Sequence, residues 1–324
     1  MRLVMMGTGS FAEPTFLELL KSSHVLAGLV TQPDRVMGKE RGSTRQARQG
    51  MKEIAIERGL PVLQPDSINT PEGAASLKAL HPDLLVVAAY GQILSRDVLA
   101  TAALGGINVH ASLLPKYRGA APINWAIYQG ERQSGVTIIR MSISLDAGDI
   151  LAQEAIEILP DETAGELEAR LGPLGGRLAM QTVDRLSQGV VSGLPQDRGQ
   201  VTKAPKLTKE HGLIDWSRPA DAVCNQIRAM QPWPTAYTHL FRMSAEPLRL
   251  IVQRVAVAPA PASPADQPEA IGPGALSVRG AKLWVSCGND TWIEILELQP
   301  AGKRRMSAQD FLRGNAIPPD AQFR

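Results

Sequence analysis

The chain has 324 residues, of which 44% are hydrophobic and 20% charged, with a formal net charge of +2 at pH 7. These values are typical of a globular protein of two domains and exclude a disordered or fibrous chain. No apolar run approaches the ~20 residues of a membrane span, and the N-terminal residues lack the features of a signal peptide. We therefore expect a cytoplasmic protein, in which Cys224 and Cys287 are packed in the interior rather than paired in a disulfide framework.

The chain opens with a short hydrophobic strand that breaks at Gly7 and Gly9 before a predicted helix. Gly7, Gly9 and Ala12 have the G-x-G-x-x-A spacing of a dinucleotide-binding turn, and Asp34 follows where an acid would hold the ribose. Tight packing at a strand-to-helix turn requires the same small residues in any open parallel sheet. An NAD-binding dehydrogenase is therefore one alternative, supported by this turn alone.

The first half of the chain alternates strand and helix signals. Because its strands are continuous apolar runs separated by helices, we predict a parallel sheet covered on both faces. The predicted strands lie at residues 2–6, 25–31, 61–63, 84–89 and 106–109, and the predicted helices at 11–21, 50–58, 70–80 and 95–103. Two later strands, "GVTIIRMS" and "DILAQEAIEIL", precede a long helix from Thr163 to Gln188.

Periodic hydrophobic residues stop after residue 189, where Gly, Pro, Ser and Lys predominate. We interpret 190–207 as a linker between a first domain at 1–189 and a second at 208–324. Short strands with turn residues between them indicate a small β-barrel in the second domain, interrupted by an exposed Pro- and Ala-rich excursion at 258–274. Its predicted elements are a helix at 220–230 and strands near 248–257, 275–278, 282–286 and 292–298.

The stretch with a chemical signature is "GGINVHASLLPKYRGAAP". Asn108 and His110 end a predicted strand and face the same way, at the sheet edge where ligands bind. Asp146 and Asp149 follow another strand in "SLDAGDI", and a carboxylate beside an imidazole orients the ring and favours its protonated form. Taken singly, each residue is explained as a hydrogen-bonded loop residue or a turn former. Their grouping is what indicates a site.

Other chemistries lack their motifs. The sequence contains no H-E-x-x-H and no C-x-x-C, which argues against zinc, and no G-x-S-x-G nucleophile elbow or P-loop. An Asn, a His and an Asp without a nucleophile fit a direct transfer in which the attacking group belongs to the substrate.

Positive charge is concentrated in two segments, residues 35–49 with one acid and 198–209 with none. Such a segment is either a solvated loop or a surface for a polyanion. The candidate contacts for a polyanion are Arg35, Lys39, Arg41, Arg45 and Arg48 in the first segment and Lys203, Lys206 and Lys209 in the second.

The stretches "INVHASLLPKYRGAAPINWAI" and "GVTIIRMSISLDAGDIL" strongly resemble the formyltransferases that use 10-formyltetrahydrofolate. Within them, "TQPDR", "LPVLQP", "AAYGQIL", "KLTKEHGLIDW", "PWPTAY" and "LQPAGKRRMSAQDFLRG" are similar to the branch that acts on methionyl-tRNA. This family usually has proline where the present chain has Gly9, and that one difference produces the dinucleotide-like spacing.

The resemblance implies an α/β fold, with a Rossmann-like N-terminal formyltransferase domain and a C-terminal OB-like β-barrel that helps to hold tRNA. It implies transfer of the formyl group of 10-formyltetrahydrofolate to the α-amino group of methionyl-initiator-tRNA by a monomer, without NAD or a metal. The two basic segments would then contact tRNA phosphates. By motif position, the catalytic residues would be Asn108, His110 and Asp146, and the folate-binding segment Ser112, Leu113, Leu114 and Pro115.

Two classes of alternative stay open. The same catalytic core could act on a small-molecule acceptor, such as an amino sugar nucleotide, or hydrolyse formylfolate. A dehydrogenase or a non-catalytic RNA-binding module would be a different class of protein. The basic segments and the C-terminal barrel favour tRNA as the acceptor.

Overall fold

The structure is a computed structural model that describes residues 1–34, 50–189, 192–243, 245–259 and 272–324. The chain forms two compact units. The first comprises Met1–Ala126, Arg132–Ile158 and Gly165–Lys206, and the second Ile127–Glu131, Leu159–Ala164 and Leu207–Arg324. Most of the predicted excursion at 258–274 lies outside the described residues.

The first unit is built on a seven-stranded sheet with the order β3-β2-β1-β4-β5-β7-β8. Strands β1 to β5 pair in parallel, as the buried apolar runs predict, whereas β7 pairs antiparallel with β5 and β8 pairs antiparallel with β7. The sheet is therefore mixed rather than wholly parallel. The strands of this unit are β1 (Arg2–Gly7), β2 (Val25–Val30), β3 (Val62–Leu63), β4 (Leu84–Ala88), β5 (Gly106–His110), β6 (Arg118–Gly119), β7 (Gln133–Arg140), β8 (Ile150–Glu157) and β9 (Lys203–Ala204).

Helices separate the strands where the sequence predicts them, and local capping sets several of their starts. Thr70 accepts a hydrogen bond from the Gly73 amide at 3.0 Å, and Ser95 from the Val98 amide at 3.3 Å, so each satisfies an amide that the first turn leaves unpaired. The helices are α1 (Glu13–Lys21), α2 (Met51–Glu57), α3 (Pro71–Lys78), α4 (Arg96–Leu99), α5 (Pro122–Tyr128) and α6 (Ala164–Ser187).

The core of the first unit lies around β4, all five residues of which are buried. One cluster packs residues of β1, β2 and β4 against α3 and α4; it includes Val4, Val30, Leu77, Val87 and Val98. Burial on both faces explains why the central strands are continuous hydrophobic runs.

The second unit is an antiparallel sheet with the order β12-β13-β14-β11-β10-β16. The sheet curls on itself, since Ala275, the residue before β12 at one end of the order, is bridged to Gln322 on β16 at the other end. Its elements are α7 (Ala220–Ala229), β10 (Tyr237–Arg242), β11 (Ala245–Ala258), β12 (Leu276–Arg279), β13 (Lys282–Ser286), β14 (Trp292–Pro300), β15 (Met306–Ser307), α8 (Ala308–Gly314) and β16 (Gln322–Phe323). The predicted fold class, α/β with a C-terminal β-barrel-like domain, is confirmed.

The segment interpreted as a linker, 190–207, lies within the first unit over most of its described length. Leu194 exchanges backbone hydrogen bonds of 2.8 and 2.9 Å with Ile150, and β9 pairs in parallel with β6. These contacts are made with residues far away in the sequence, so the local composition does not show them. For this reason composition alone predicts a linker here. Among the described residues, no helix is both long and apolar enough to cross a bilayer.

Candidate active site

A cavity of about 550 Å³ opens at the carboxyl ends of the central strands of the first unit. The opening loop after β1, the segments that follow β4 and β5, the start of α5 and the loop between β7 and β8 contribute to its wall. Ligands bind at this edge of an open α/β sheet. Asn108, His110 and Asp146 all line the cavity, so the structure brings the three predicted catalytic residues together.

Asn108 and His110 are placed by β5, which lies between β4 and β7. Asn108 is paired with Val87 on one side and Ile139 on the other, and His110 is paired with Thr137. A strand hydrogen-bonded on both edges holds alternate residues in a fixed relation. The amide and the imidazole are therefore parts of the rigid sheet.

The His110 ring is only 5% exposed, and its Nε2 atom lies 2.9 Å from the backbone oxygen of Tyr117. A carbonyl oxygen only accepts, so Nε2 carries a hydrogen and donates it. Nδ1 lies 3.7 Å from Oδ2 of Asp146. This distance is too long for a hydrogen bond and short enough for a strong charge interaction when the ring is protonated. Tyr117 thus orients the ring, a role that the sequence assigns to Asp146.

Asp146 is held by the loop between β7 and β8. Its Oδ1 accepts a 3.3 Å hydrogen bond from Nδ2 of Asn108, and its Oδ2 accepts one of 2.9 Å from the Gly119 amide. The residue has a φ of +49°, in the left-handed region that few residues other than glycine adopt. Asp149, the other acid of "SLDAGDI", does not line the cavity.

The segment Ser112, Leu113, Leu114 and Pro115 does not contribute to the lining of this cavity. Thr137 fixes it in place, because its hydroxyl donates to the Ser112 oxygen at 2.6 Å and accepts from the Leu114 amide at 3.1 Å. Gln153 donates to the same hydroxyl at 2.8 Å and to the Leu114 oxygen at 2.9 Å. The side chains of Ser112 and Leu114 are buried.

The opening turn packs closely and forms part of the cavity wall through Thr8 and Phe11. A Cβ atom at Gly7 would lie 2.8 Å from the Ala88 oxygen, so the close approach of β4 requires glycine there. Gly9 has a φ of +82°, which a proline ring, held near −65°, cannot adopt. Asp34 is exposed and binds Lys52 and Gln64, and the hydrogen bond from Lys52 lowers the pKa of its carboxyl.

Two residues near the site have no signal in the sequence analysis. Glu168, on α6, lines the cavity and accepts a short hydrogen bond from the Ser10 hydroxyl; its burial raises the pKa of its carboxyl. Gln196 donates to the backbone oxygen of Asp146 at 2.9 Å. Helical periodicity places Glu168 on a helix without showing which residues face it, and Gln196 lies in a segment without periodicity.

The predicted tRNA-binding residues are described only in part. Lys203, Lys206 and Lys209 are exposed. The five cations of the first basic segment, Arg35, Lys39, Arg41, Arg45 and Arg48, lie outside the described residues. Within the part of the chain that is described, no group of three or more His, Cys, Asp and Glu residues could hold a metal ion.

Comparison with known proteins connects the two units to one family. The formyl transferase model matches residues 1–183, and the model of the formyl transferase C-terminal domain matches residues 206–316. A methionyl-tRNA formyltransferase of Acidobacterium capsulatum is 41% identical over 324 residues, covering 100% of this chain and 99% of the relative. One of Bacillus subtilis is 39% identical, covering 97% of this chain and 94% of the relative.

Solved structures show the same fold at low identity. WlaRD, a sugar 3N-formyl transferase solved in the presence of dTDP and 5-N-formyl-THF, matches with a TM-score of 0.66 at 16% identity, covering 94% of this chain and 99% of that one. An N-formyltransferase from Helicobacter canadensis, in complex with folinic acid and dTDP-3-aminofucose, matches with a TM-score of 0.64 at 17% identity, over 90% of this chain and 98% of that one.

Proposed function

We propose that this chain, which belongs to the formyl transferase family, transfers the formyl group of 10-formyltetrahydrofolate to the α-amino group of methionyl-initiator-tRNA, giving N-formylmethionyl-tRNA. The observation that carries the proposal is the presence of Asn108, His110 and Asp146 in one cavity. The choice of acceptor is supported by relatives that cover nearly the whole chain and are named methionyl-tRNA formyltransferase.

In the proposed reaction, the free amine of methionyl-tRNA attacks the formyl carbon and forms a tetrahedral intermediate whose oxygen is negatively charged. The Asn108 amide nitrogen carries two hydrogens. One is donated to Asp146, and the other is available to the oxyanion. A preorganised donor of this kind lowers the barrier by roughly 3–4 kcal/mol in measured cases.

His110 supplies the second donor. Because its Nε2 is bonded to the Tyr117 oxygen, the Nδ1 edge is the one that can serve the reaction. The Asp146 carboxylate lies 3.7 Å from Nδ1, too far to accept a hydrogen bond from it. A hydrogen on Nδ1 is therefore available to the oxyanion.

Collapse of the intermediate breaks the bond between the formyl carbon and the folate nitrogen. The proton that the attacking amine loses is returned to this nitrogen, with Asp146 and His110 next to its path. The products are tetrahydrofolate and formylmethionyl-tRNA. The reaction needs no covalent enzyme intermediate.

The cosubstrates are assigned by the same proposal. The segment from Ser112 to Pro115 contributes to folate binding, and the five cations of 35–49 together with Lys203, Lys206 and Lys209 contact tRNA phosphates. Since all three catalytic residues come from one unit of one chain, we propose that a monomer is sufficient.

The test is the transfer of labelled formyl from 10-formyltetrahydrofolate to methionyl-tRNA, with an amino sugar nucleotide present as a competing acceptor. We expect label on the aminoacyl-tRNA alone. Label on the sugar would favour a small-molecule formyltransferase, and release of formate without transfer would favour a hydrolase. Either result would overturn the proposal.

The tRNA contact is tested by salt dependence. Neutralising Arg35, Lys39, Arg41, Arg45 and Arg48 together should weaken methionyl-tRNA binding and flatten its dependence on salt, by about 0.7–0.9 in the logarithmic slope for each lost phosphate contact. Lys282→Gln, which breaks an exposed ion pair with Glu294, is a charge control. An unchanged slope in the fivefold variant would remove this segment from the interface.

A further inference from the structure

The side-chain amide of Gln196 joins the loop that carries Asp146 to the strand that follows the folate segment. Its Nε2 donates to the backbone oxygens of Asp146 at 2.9 Å and Gly148 at 2.7 Å. Its Oε1 accepts from Nε of Arg118 at 3.1 Å and from a terminal nitrogen of the same guanidinium at 2.7 Å. Gln196 therefore uses both amide hydrogens and both lone pairs, which is its full hydrogen-bonding capacity.

These four contacts determine which way the amide faces. Two carbonyl oxygens can only accept and a guanidinium can only donate, so a flipped amide would lose all four hydrogen bonds. Asparagine is shorter by one methylene, and glutamate has no hydrogen to donate to either carbonyl. The position is thus specific for glutamine.

The contacts bear on the one residue of the site that secondary structure does not hold. Asp146 has a left-handed φ of +49°, a strained conformation for a residue other than glycine that persists where the surroundings impose it. Gln196 binds the backbone of Asp146, and the Gly119 amide binds its carboxylate at 2.9 Å. Arg118 and Gly119 are neighbours on β6. The backbone of Asp146, through Gln196 and Arg118, and its carboxylate, through Gly119, are therefore both anchored to this short strand.

We propose that Gln196, held by Arg118, is a positioning residue that keeps the Asp146 carboxylate beside His110 and Asn108. The inference rests on the proposed function, since it concerns the catalytic role of Asp146. Gln196 does not line the cavity and acts through Asp146. The His110–Asp146 distance of 3.7 Å is then maintained by a residue 50 positions further along the chain.

Gln196 also lies close in the chain to the second basic segment. β9, which carries the exposed Lys203, pairs with β6, and the Ala204 oxygen accepts the Ala120 amide at 2.8 Å. The segment that holds Asp146 is therefore continuous with a basic segment assigned to tRNA.

The test compares Gln196→Ala and Gln196→Glu with the wild type in steady-state formyl transfer. We expect kcat to fall about tenfold in both, because a misplacement of less than 1 Å is costly for a reacting group. The KM values for methionyl-tRNA and for the folate should stay within about twofold. A lower kcat at unchanged KM values is the readout that a purely structural role would not give.

Gln196→Glu separates positioning from folding. It keeps an acceptor for Arg118, and hence the anchoring of the segment, while replacing the two donors. If the alanine variant does not fold, the glutamate variant alone decides. Gln200→Glu is the matched control, since Gln200 lies in the same segment and donates to Asp197 at 2.8 Å, away from the cavity.

The outcomes are distinct. An unchanged kcat in a folded Gln196→Glu variant would overturn the inference, as would a loss confined to the KM for tRNA. Asp146→Asn distinguishes failure of the underlying proposal: if this variant keeps full activity, the catalytic assignment itself is wrong. An inactive Asp146→Asn beside a fully active Gln196→Glu would reject only the positioning role.

Discussion

The two halves of the candidate site are supported in different ways. Asn108 and His110 are on β5, which is hydrogen-bonded on both edges. Asp146 is on the loop from β7 to β8 and is held by Gly119 and Gln196 instead of a ladder. The strand half is positioned by regular backbone pairing, and the loop half by individual hydrogen bonds to distant parts of the chain.

This difference has consequences for mutation. A side chain can be removed from a strand without displacing its neighbours, because the ladder involves backbone atoms only. The loop half depends on a few contacts, each of which can be lost separately. Changes in the strand half should therefore remove chemistry and leave the sheet intact, with the hydrogen bond from Asn108 to Asp146 as the one contact shared with the loop half. Changes around the loop should disturb geometry first.

The largest effect is expected from the strand half. His110→Ala and Asn108→Ala should each reduce kcat for formyl transfer by about 10²–10³, the loss measured when a preorganised oxyanion donor is removed. Steady-state kinetics with labelled formyl measures this. Both variants should stay folded, because the backbone pairing of β5 remains. His110→Ala should unfold at a lower temperature than the wild type, because it removes a buried ring and its hydrogen bond to the Tyr117 oxygen. Full activity in either variant would refute its catalytic assignment.

An intermediate effect is expected from Gly148→Ala in the loop half. A Cβ atom there would lie 1.7 Å from the backbone oxygen of Arg140, so the loop must move. A shift of about 1 Å at Asp146 should lower kcat up to about 100-fold. Gly314→Ala is the control, since open space surrounds its added Cβ. Equal activity of the two variants would show that the loop tolerates displacement.

A smaller effect is expected from Glu168, the carboxyl on α6 that lines the same cavity. Glutamine keeps an acceptor for Ser10, so Glu168→Gln should change kcat less than about threefold, whereas Asp146→Asn should abolish most activity. Parallel kinetics on the two variants identifies which carboxyl the reaction uses. A greater loss in the Glu168 variant would reverse the assignment.

The smallest effect concerns the pH dependence of stability. Burial raises the pKa of Glu168 in the folded protein, so its ionisation opposes folding. The protonated Glu168 side chain contributes to the free energy of unfolding. This contribution is fully present below the unfolded pKa of about 4.3 and is lost as pH rises through the higher folded pKa. Glu168→Gln cannot ionise.

Unfolding midpoints measured across that range should accordingly favour the variant more at neutral pH than at pH 4. A difference that is the same at every pH would show that ionisation of Glu168 does not contribute.

Much of the fold follows from local patterns. The alternation of apolar runs and helical periodicity predicts the order of elements in the first unit, and short strands with turn residues predict the sheet of the second. The period of two along β5 also places Asn108 and His110 on one side. The direction of a strand cannot be predicted from such patterns. "GVTIIRMS" is predicted as a strand, yet nothing in it indicates that β7 runs antiparallel to β5.

The sequence by itself determined the elements, the strand half of the site and the family resemblance, because each depends on neighbouring residues or on a contiguous motif. Only the tertiary structure decided that Tyr117 orients His110, that residues 192–206 pack on the first unit, and that Gln196 holds Asp146. These are contacts between groups that only the folding of the chain brings together. Their partners differ by up to 85 positions, and no periodicity of the sequence encodes such a pairing.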